Sequence, residues 1–180
     1  MPYTSLTQNL HHEIELVVAI GKGGKNIKAA DAAEHIYGYA VGLDMTRRDL
    51  QNEMKKQGRP WCIGKAFDHS APIGPITPKA QAGDVNNAGI SLQVNGADRQ
   101  RSNVNKLIWN VAETIEHLSV FFYVKACYVI YTGTVGLFAV PWIFRRSSRR
   151  TLGMIALAAS AYLVAITLFG DAIYTFFKGG

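Results

Sequence analysis

The chain of 180 residues has room for one ordinary domain and an appendage, and its hydrophobic fraction of 48% is that of a globular protein. Most of the net charge of +6 comes from one block beside an apolar segment: Arg145, Arg146, Arg149 and Arg150. Such a block is more typical of the inner flank of a membrane segment than of a groove that binds phosphates. We therefore expect a membrane and not nucleic acid as the partner of this block.

Cysteine usage and the first residues indicate the compartment. Cys62 and Cys127 form no CxxC pair and have no metal-ligand spacing, so we expect small buried side chains in a reducing compartment. Residues 1–10 are polar and lack the apolar core of a signal peptide.

The first half of the chain alternates strands and short helices. Residues 14–20 are β-rich and apolar, and the glycine-rich residues 21–26 predict a hairpin turn. Residues 31–36 have the composition of a short helix, and residues 37–43 return to strand character. The charges of residues 47–56 predict a surface helix.

The second half continues this mixed pattern. Three prolines within residues 71–78 exclude a central strand and predict a loop or an edge segment. Residues 90–94 alternate like a half-buried strand, and Asn95-Gly96 is a hairpin turn signal. Residues 104–118 predict an amphipathic helix. The fold class expected from these elements is α+β.

The last third is dominated by apolar residues. Residues 152–170 carry no formal charge and the apolar stretch continues to residue 177, which is long enough to cross a membrane core of roughly 30 Å. The arginine block precedes it and Phe176 and Phe177 lie near its far end, as in a spanning helix with interfacial anchors. Residues 126–144 are also uncharged, and the sequence leaves open a second span or a buried strand.

Three acidic residues form a candidate metal site. In an extended strand Glu13 and Glu15 project to the same side, and Asp44 ends a nearby apolar run. Two parallel carboxylates repel each other unless a cation or a proton separates them, and Mg²⁺ prefers oxygen ligands. On spacing alone the signal for a metal is weak, because a Glu-x-Glu pair on a strand is usually a solvated face.

The sequence motifs around these acidic residues are more specific than the spacing of the acidic residues alone. The motifs are His11-His12-Glu13-Ile14-Glu15-Leu16-Val17, Gly38-Tyr39-Ala40, Leu43-Asp44-Met45-Thr46-Arg47-Arg48-Asp49-Leu50-Gln51 and Lys65-Ala66-Phe67-Asp68. In this order and spacing they closely resemble the fumarylacetoacetate hydrolase family over roughly residues 8–118.

The resemblance implies a mixed β-roll with an Mg²⁺ or Mn²⁺ site that acts on acylpyruvates, related diketo acids or oxaloacetate. It implies that Glu13, Glu15 and Asp44 are the metal ligands and that Lys65 stabilises an enolate-like leaving group. The remaining residues that it implicates are Arg48 and Gln51 for the oxo-acid end of the substrate, Thr134 for its carboxylate, and His12 for orienting the strand.

The sequence departs from the family pattern at both ends. Family members usually carry a catalytic His–Glu pair ahead of the first strand, and no equivalent segment precedes His11. The Pro-Gly-Asp turn expected before Ile130-Tyr131-Thr132-Gly133-Thr134 is replaced by Ala126-Cys127-Tyr128. We therefore predict a partial family domain over residues 1–125, an apolar segment over 126–144, a basic turn over 145–151 and a membrane helix over 152–177.

Two functional hypotheses follow from this organisation. The first is a non-catalytic accessory subunit in the mitochondrial inner membrane, bound to the lipid bilayer and to other subunits of a respiratory complex. The second is a Mg²⁺-dependent acylpyruvate hydrolase or oxaloacetate decarboxylase whose His–Glu segment comes from a partner chain.

Overall fold

The computed structural model describes residues 3–134. Its strands are β1 Leu10–His11, β2 Ile14–Ile20, β3 Ile36–Leu43, β4 Thr46–Arg47, β5 Thr77–Pro78, β6 Gly89–Val94, β7 Ala97–Asn103 and β8 Val129–Tyr131. Its α-helices are α1 Ala32–His35, α2 Arg48–Lys56, α3 Cys62–Lys65 and α4 Val111–Phe121. Three 3₁₀ turns cover Lys79–Gln81, Val85–Asn87 and Val104–Lys106.

The central sheet is antiparallel with the order β5-β3-β2-β8. The apolar strand β2 lies between two neighbours, and all seven of its residues are buried. Its register with β3 sets Ile14 opposite Leu43, and β8 pairs with β2 only from Val17 to Ala19. The start of β2 therefore lies beyond the end of its β8 neighbour.

The two faces of this sheet have different surroundings because side chains alternate along each strand. On one face Leu16, Val18 and Ile20 belong to the main apolar core, which includes Ile115 and Leu118 of α4. On the other face Val17 packs with Ala40 and Tyr131 in a separate small cluster. Glu15 is two residues from Val17, so its side chain projects on this second face.

Two elements differ from the sequence prediction: the turn over residues 21–26 and the helix over residues 104–118. The glycine-rich residues 21–26 begin a longer connection between β2 and β3, because Gly24 pairs with Val124 instead of closing a tight turn. The predicted helix over 104–118 divides into a 3₁₀ turn and α4. Asn110 starts α4 with a capping box in which its side chain accepts from the Glu113 N–H.

The hairpin signal at Asn95-Gly96 is confirmed. Both residues adopt positive φ, 52° and 78°, as the tight turn joining β6 and β7 requires. The resulting two-stranded hairpin packs its buried Ile90 against Ile14 at the start of β2. A segment distant in sequence thereby contacts the end of the central sheet.

The cysteine prediction is wrong. Cys62 and Cys127 are both exposed. Cys127 lies in a turn with φ of 71°, and Cys62 begins the short helix α3. Their small apolar side chains are therefore not recruited to the core.

The α+β class agrees with the structure, but the prediction of membrane-spanning helices after it is corrected. Among residues 3–134 the longest helix, α4, has 11 residues and spans about 16 Å, far short of a bilayer core of about 30 Å. The described part of the apolar segment 126–144 contains strand β8, which pairs with β2. The predicted helix over 152–177 and the basic turn over 145–151 lie outside the described residues.

Candidate metal centre

The candidate centre lies where β2 begins and β3 ends. Glu13 immediately precedes β2, and Asp44 immediately follows β3. The Asp44 N–H donates to the Glu13 carbonyl at 2.8 Å, so the strand register itself brings the two residues together. Glu15 lies two residues further along β2 and therefore projects on the same side as Glu13.

The three predicted metal ligands converge. One carboxylate oxygen from each of Glu13, Glu15 and Asp44 lies within 4.8 Å of the other two. Glu13 and Glu15 are buried, with 7% and 4% of their surface exposed. Several buried carboxylate oxygens around one point are the donor set that Mg²⁺ and Mn²⁺ prefer. The interpretation of Glu13 and Glu15 as a solvated strand face is therefore wrong.

Two cationic side chains contact this acidic group. The buried Lys65 ammonium, at the end of α3, donates to Glu13 at 2.9 Å and to Asp44 at 2.5 Å. Arg48, at the start of α2, donates to Glu13 and, at 2.6 Å, to the side-chain oxygen of Gln51. The predicted residues Lys65, Arg48 and Gln51 thus lie at the predicted metal ligands.

The pKa shifts show how unequal the three carboxylates are. Burial alone would raise the pKa of Glu13, but Lys65 and Arg48 outweigh it and hold that pKa below its ordinary value. Burial raises the pKa of Asp44, and Lys65 offsets this only in part. Burial and then the Asp44 charge raise the pKa of Glu15 to about 8. The neutral form of the Glu15 carboxyl group is therefore favoured unless a cation binds beside it.

The segment after β8 closes the centre on the side of Glu15. The Gly133 N–H donates to a Glu15 oxygen at 2.9 Å. The Thr134 hydroxyl lies 3.2 Å from a Glu13 oxygen and 3.3 Å from a Glu15 oxygen. Thr134, predicted to bind the substrate carboxylate, therefore contacts the predicted metal ligands directly.

The first described residues hold α2 in place. The Thr7 hydroxyl donates to Asp49 at 2.6 Å, and the Gln8 N–H donates to the same carboxylate at 2.9 Å. These two hydrogen bonds lower the pKa of Asp49. Because Asp49 is the neighbour of Arg48, this contact fixes the first turn of the helix that carries the guanidinium.

Two contacts at the centre were not predicted from the sequence. The first is the hydrogen bond from the Gly133 N–H to Glu15. It is made by a backbone group, so the residue type gives no signal of it. Gln100, on β7, accepts from the Ile14 N–H at 2.9 Å across 86 residues of sequence. Only the hairpin signal at Asn95-Gly96 indicated that this segment is ordered, and it gave no indication of where the hairpin packs.

Comparison with known proteins identifies relatives of this arrangement. The family model described as fumarylacetoacetate (FAA) hydrolase C-terminal matches residues 1–157. A fumarylpyruvate hydrolase from Ralstonia sp is 48% identical over 132 residues, which are 73% of this chain and 68% of that protein. The oxaloacetate tautomerase YcgM from Escherichia coli (strain K12) is 42% identical over 127 residues, or 70% of this chain and 58% of that protein.

A solved structure extends the likeness to three dimensions. Fumarylpyruvate hydrolase from Pseudomonas aeruginosa, in complex with Mn²⁺ and pyruvate, matches with a TM-score of 0.71 and 61% sequence identity. The match covers 73% of this chain and 57% of that chain. This chain thus spans between about half and two thirds of the length of these relatives. With the three converging carboxylates, the Mn²⁺ complex confirms the predicted cofactor, Mg²⁺ or Mn²⁺.

The comparisons correct the first functional hypothesis. The relatives are named as hydrolases and tautomerases, so the predictions of a non-catalytic accessory subunit and of a respiratory-chain role are wrong. The prediction of a mitochondrial inner-membrane location is corrected with them, since no spanning helix occurs in residues 3–134. The family match also runs through the predicted basic turn to residue 157. The contribution of a His–Glu pair by a partner chain stays a prediction.

Proposed function

Because the chain belongs to the fumarylacetoacetate hydrolase family, we propose that it is a divalent-metal-dependent hydrolase of acylpyruvates, with fumarylpyruvate as the favoured substrate. The observation that carries this proposal is the buried group of Glu13, Glu15 and Asp44, with the Lys65 ammonium on two of the three carboxylates. The identity of 61% to a fumarylpyruvate hydrolase that binds Mn²⁺ and pyruvate supports the choice of substrate.

The three carboxylates would hold the Mg²⁺ or Mn²⁺ ion, which would supply Lewis-acid polarisation of the substrate oxygens. Glu15 suits this role because its burial and the nearby Asp44 charge disfavour its ionised form unless a cation compensates. Thr134 orients two of the ligands through its hydroxyl. Such contacts to ligating side chains commonly tune metal affinity.

The reaction balances as the addition of one water molecule. The water oxygen bonds to the acyl carbonyl carbon, and the bond from that carbon to the methylene carbon of the pyruvate unit breaks. The bonding electrons leave as a pyruvate enolate, which takes up a proton to give pyruvate beside the carboxylic acid. The Lys65 ammonium stabilises the negative charge that develops on the enolate oxygen.

Arg48 and Gln51 bind the oxo-acid end of the substrate. The Arg48 guanidinium already contacts both Glu13 and Gln51, so it is fixed before substrate arrives. A planar guanidinium matches a carboxylate with two parallel hydrogen bonds. Its fixed position reduces the entropy lost when substrate binds.

A second candidate is oxaloacetate tautomerisation, which the 42% identity to the E. coli tautomerase favours. In this reaction a proton moves between the methylene carbon and the enol oxygen, and no carbon–carbon bond breaks. The same metal centre and Lys65 would stabilise the same type of enolate. The two candidates therefore differ in product and not in the group that stabilises charge.

The test supplies the full chain and Mn²⁺, together with any partner chain that co-purifies with it and can contribute the predicted His–Glu pair, with fumarylpyruvate or with oxaloacetate. Each product is followed by NMR. We expect release of fumarate and pyruvate from the first substrate, and loss of about 10²-fold or more in kcat/KM for Glu13→Gln. The matched control is Glu34→Gln, an exposed glutamate that pairs with Lys22 away from the centre and should retain parental rates. Tautomerisation without hydrolysis would select the second candidate, and no turnover of either substrate would contradict both.

A further inference from the structure

We propose that Gln100 is a positioning residue for the metal centre, acting through the backbone N–H of Ile14. The hydrogen bond of the Gln100 side chain goes to the backbone and not to one of the three carboxylates. It holds the peptide unit that joins Glu13 to Ile14, one residue before Glu15. The inference rests on the proposed function, because it concerns the geometry of the proposed metal ligands.

The central contact is one long-range hydrogen bond. The Ile14 N–H donates to the side-chain oxygen of Gln100 at 2.9 Å. Ile14 is only 6% exposed, so water has little access to this donor in place of Gln100. Buried backbone donors are almost always paired, which makes the Gln100 carboxamide a structural requirement at this point.

The topology of the sheet explains why a side chain fills this place. From Glu13 onward into β2, successive residues direct their backbone groups to opposite sides of the strand. The Glu13 carbonyl accepts from the Asp44 N–H on the β3 side, whereas the Leu16 carbonyl accepts from the Thr132 N–H on the β8 side. Ile14 is two residues before Leu16 and directs its N–H to the β8 side. Strand β8 pairs no further than Val17, so among residues 3–134 it offers this N–H no backbone acceptor.

The same peptide unit is therefore held at both ends. Its oxygen, on Glu13, accepts from the Asp44 N–H at 2.8 Å, and its N–H, on Ile14, donates to Gln100. These two hydrogen bonds fix the rotation of the peptide plane between two carboxylate-bearing residues. A peptide held only at its oxygen can rotate and change the separation of the Glu13 and Glu15 side chains.

The hairpin β6–β7 presents Gln100 as a packed unit. Leu92 pairs with Gln100 across the hairpin, and Ile90, two residues before Leu92, packs against Ile14 itself. One residue of the hairpin thus contacts the side chain of Ile14 while another binds its N–H. This double contact explains how a hairpin outside the main sheet reaches the metal ligands.

The test measures Mn²⁺ affinity of the full chain by titration calorimetry. Gln100→Met keeps the length of the side chain and removes the oxygen acceptor, and we expect its Mn²⁺ dissociation constant to rise by about 10- to 100-fold. Gln100→Glu keeps an acceptor oxygen and should remain within about threefold of the parent, since the hydrogen bond to Ile14 is preserved.

Two controls separate positioning from a loss of general stability. Gln93→Met changes the same residue type on the same hairpin, where the amide is exposed and donates to Asp98, and it should bind Mn²⁺ like the parent. Ile115→Val lowers core stability at a fully buried residue of α4 and should also leave Mn²⁺ affinity unchanged.

The Mn²⁺ affinities of the parent and the four variants distinguish three outcomes. Weakened binding in Gln100→Met alone supports the inference. Parental affinity in Gln100→Met, or equal weakening in Ile115→Val, overturns it while the metal site stands. A parent chain that binds no Mn²⁺ contradicts the proposed function and this inference together.

Discussion

At the scale of single residues, the centre is a balance between like charges and the cations beside them. Lys65 and Arg48 lower the pKa of Glu13, whereas burial and the Asp44 charge raise the pKa of Glu15 to about 8. The pKa values of Glu13 and Glu15 thus shift in opposite directions, because Glu13 forms ion pairs with Lys65 and Arg48 whereas Glu15 does not. Because their pKa values shift in opposite directions, substitutions at Glu13 and at Glu15 should have different effects.

Lys65→Met removes an ammonium that donates to two proposed metal ligands. We expect kcat to fall by about 10²–10³-fold, as when one preorganised charge-stabilising donor is removed. Mn²⁺ affinity should be equal to that of the parent or higher, because the carboxylates lose a competing cation. Steady-state kinetics and calorimetry on the same preparation measure both, and weaker Mn²⁺ binding would show that Lys65 serves to assemble the ligands.

Glu15→Gln tests the raised pKa in metal-free protein. An acid whose pKa rises on folding stabilises the folded state fully below its unfolded pKa, and this contribution disappears as the pH rises through the folded pKa. In EDTA, the parent Tm should therefore decline between about pH 5 and pH 8, and Glu15→Gln should decline less. Parallel Tm profiles for the two proteins across this range would contradict the burial assigned to Glu15.

At the scale of elements, the register of β2 and β3 is what assembles the site. Glycine at position 42, opposite Glu15, leaves room for a ring: a Cβ there would lie 2.6 Å from Cε1 of Tyr131 and 2.8 Å from Cγ2 of Val17. The Tyr131 hydroxyl donates to the Ala71 carbonyl at 2.9 Å. The absence of a side chain at Gly42 therefore leaves space for the Tyr131 ring of β8, whose hydroxyl holds the loop before β5 against the sheet.

Gly42→Ala should lower the free energy of unfolding by about 1–3 kcal/mol, the usual cost of overpacking. The control is Gly89→Ala, because a Cβ at Gly89 meets nothing within 4 Å. Urea denaturation measures both, and adding Tyr131→Leu to Gly42→Ala should recover part of the loss. Equal stability of the two glycine variants would show that the ring does not occupy this space.

Much of the element order could be predicted from local patterns. Alternation and turn chemistry located β2, β3, α2 and the β6–β7 hairpin because those signals depend only on neighbouring residues. The split of residues 104–118 depends on the capping box at Asn110, a signal easily missed inside an apolar pattern. The contact of Gln100 with Ile14 depends on how the hairpin packs on the sheet, and no local pattern encodes that packing.

At the scale of the whole molecule, the residues that the sequence motifs single out lie together, whereas the predicted role as an accessory subunit is wrong. Glu13, Glu15, Asp44 and Lys65 converge as the resemblance implied, because their motifs lie on paired strand ends and a short helix. The functional prediction went wrong by giving most weight to the apolar last third. The relatives are enzymes, and the family match extends into that region, to residue 157.

If the proposed function is right, the buried carboxylate centre binds a divalent cation that in turn recruits the pyruvate end of a substrate. The most direct measurement is calorimetric titration of pyruvate into the full chain, with Mn²⁺ and with EDTA, alongside Glu13→Gln. We predict pyruvate binding only for the parent with Mn²⁺. Equal binding in EDTA, or no binding by the Mn²⁺-loaded parent, would contradict the account.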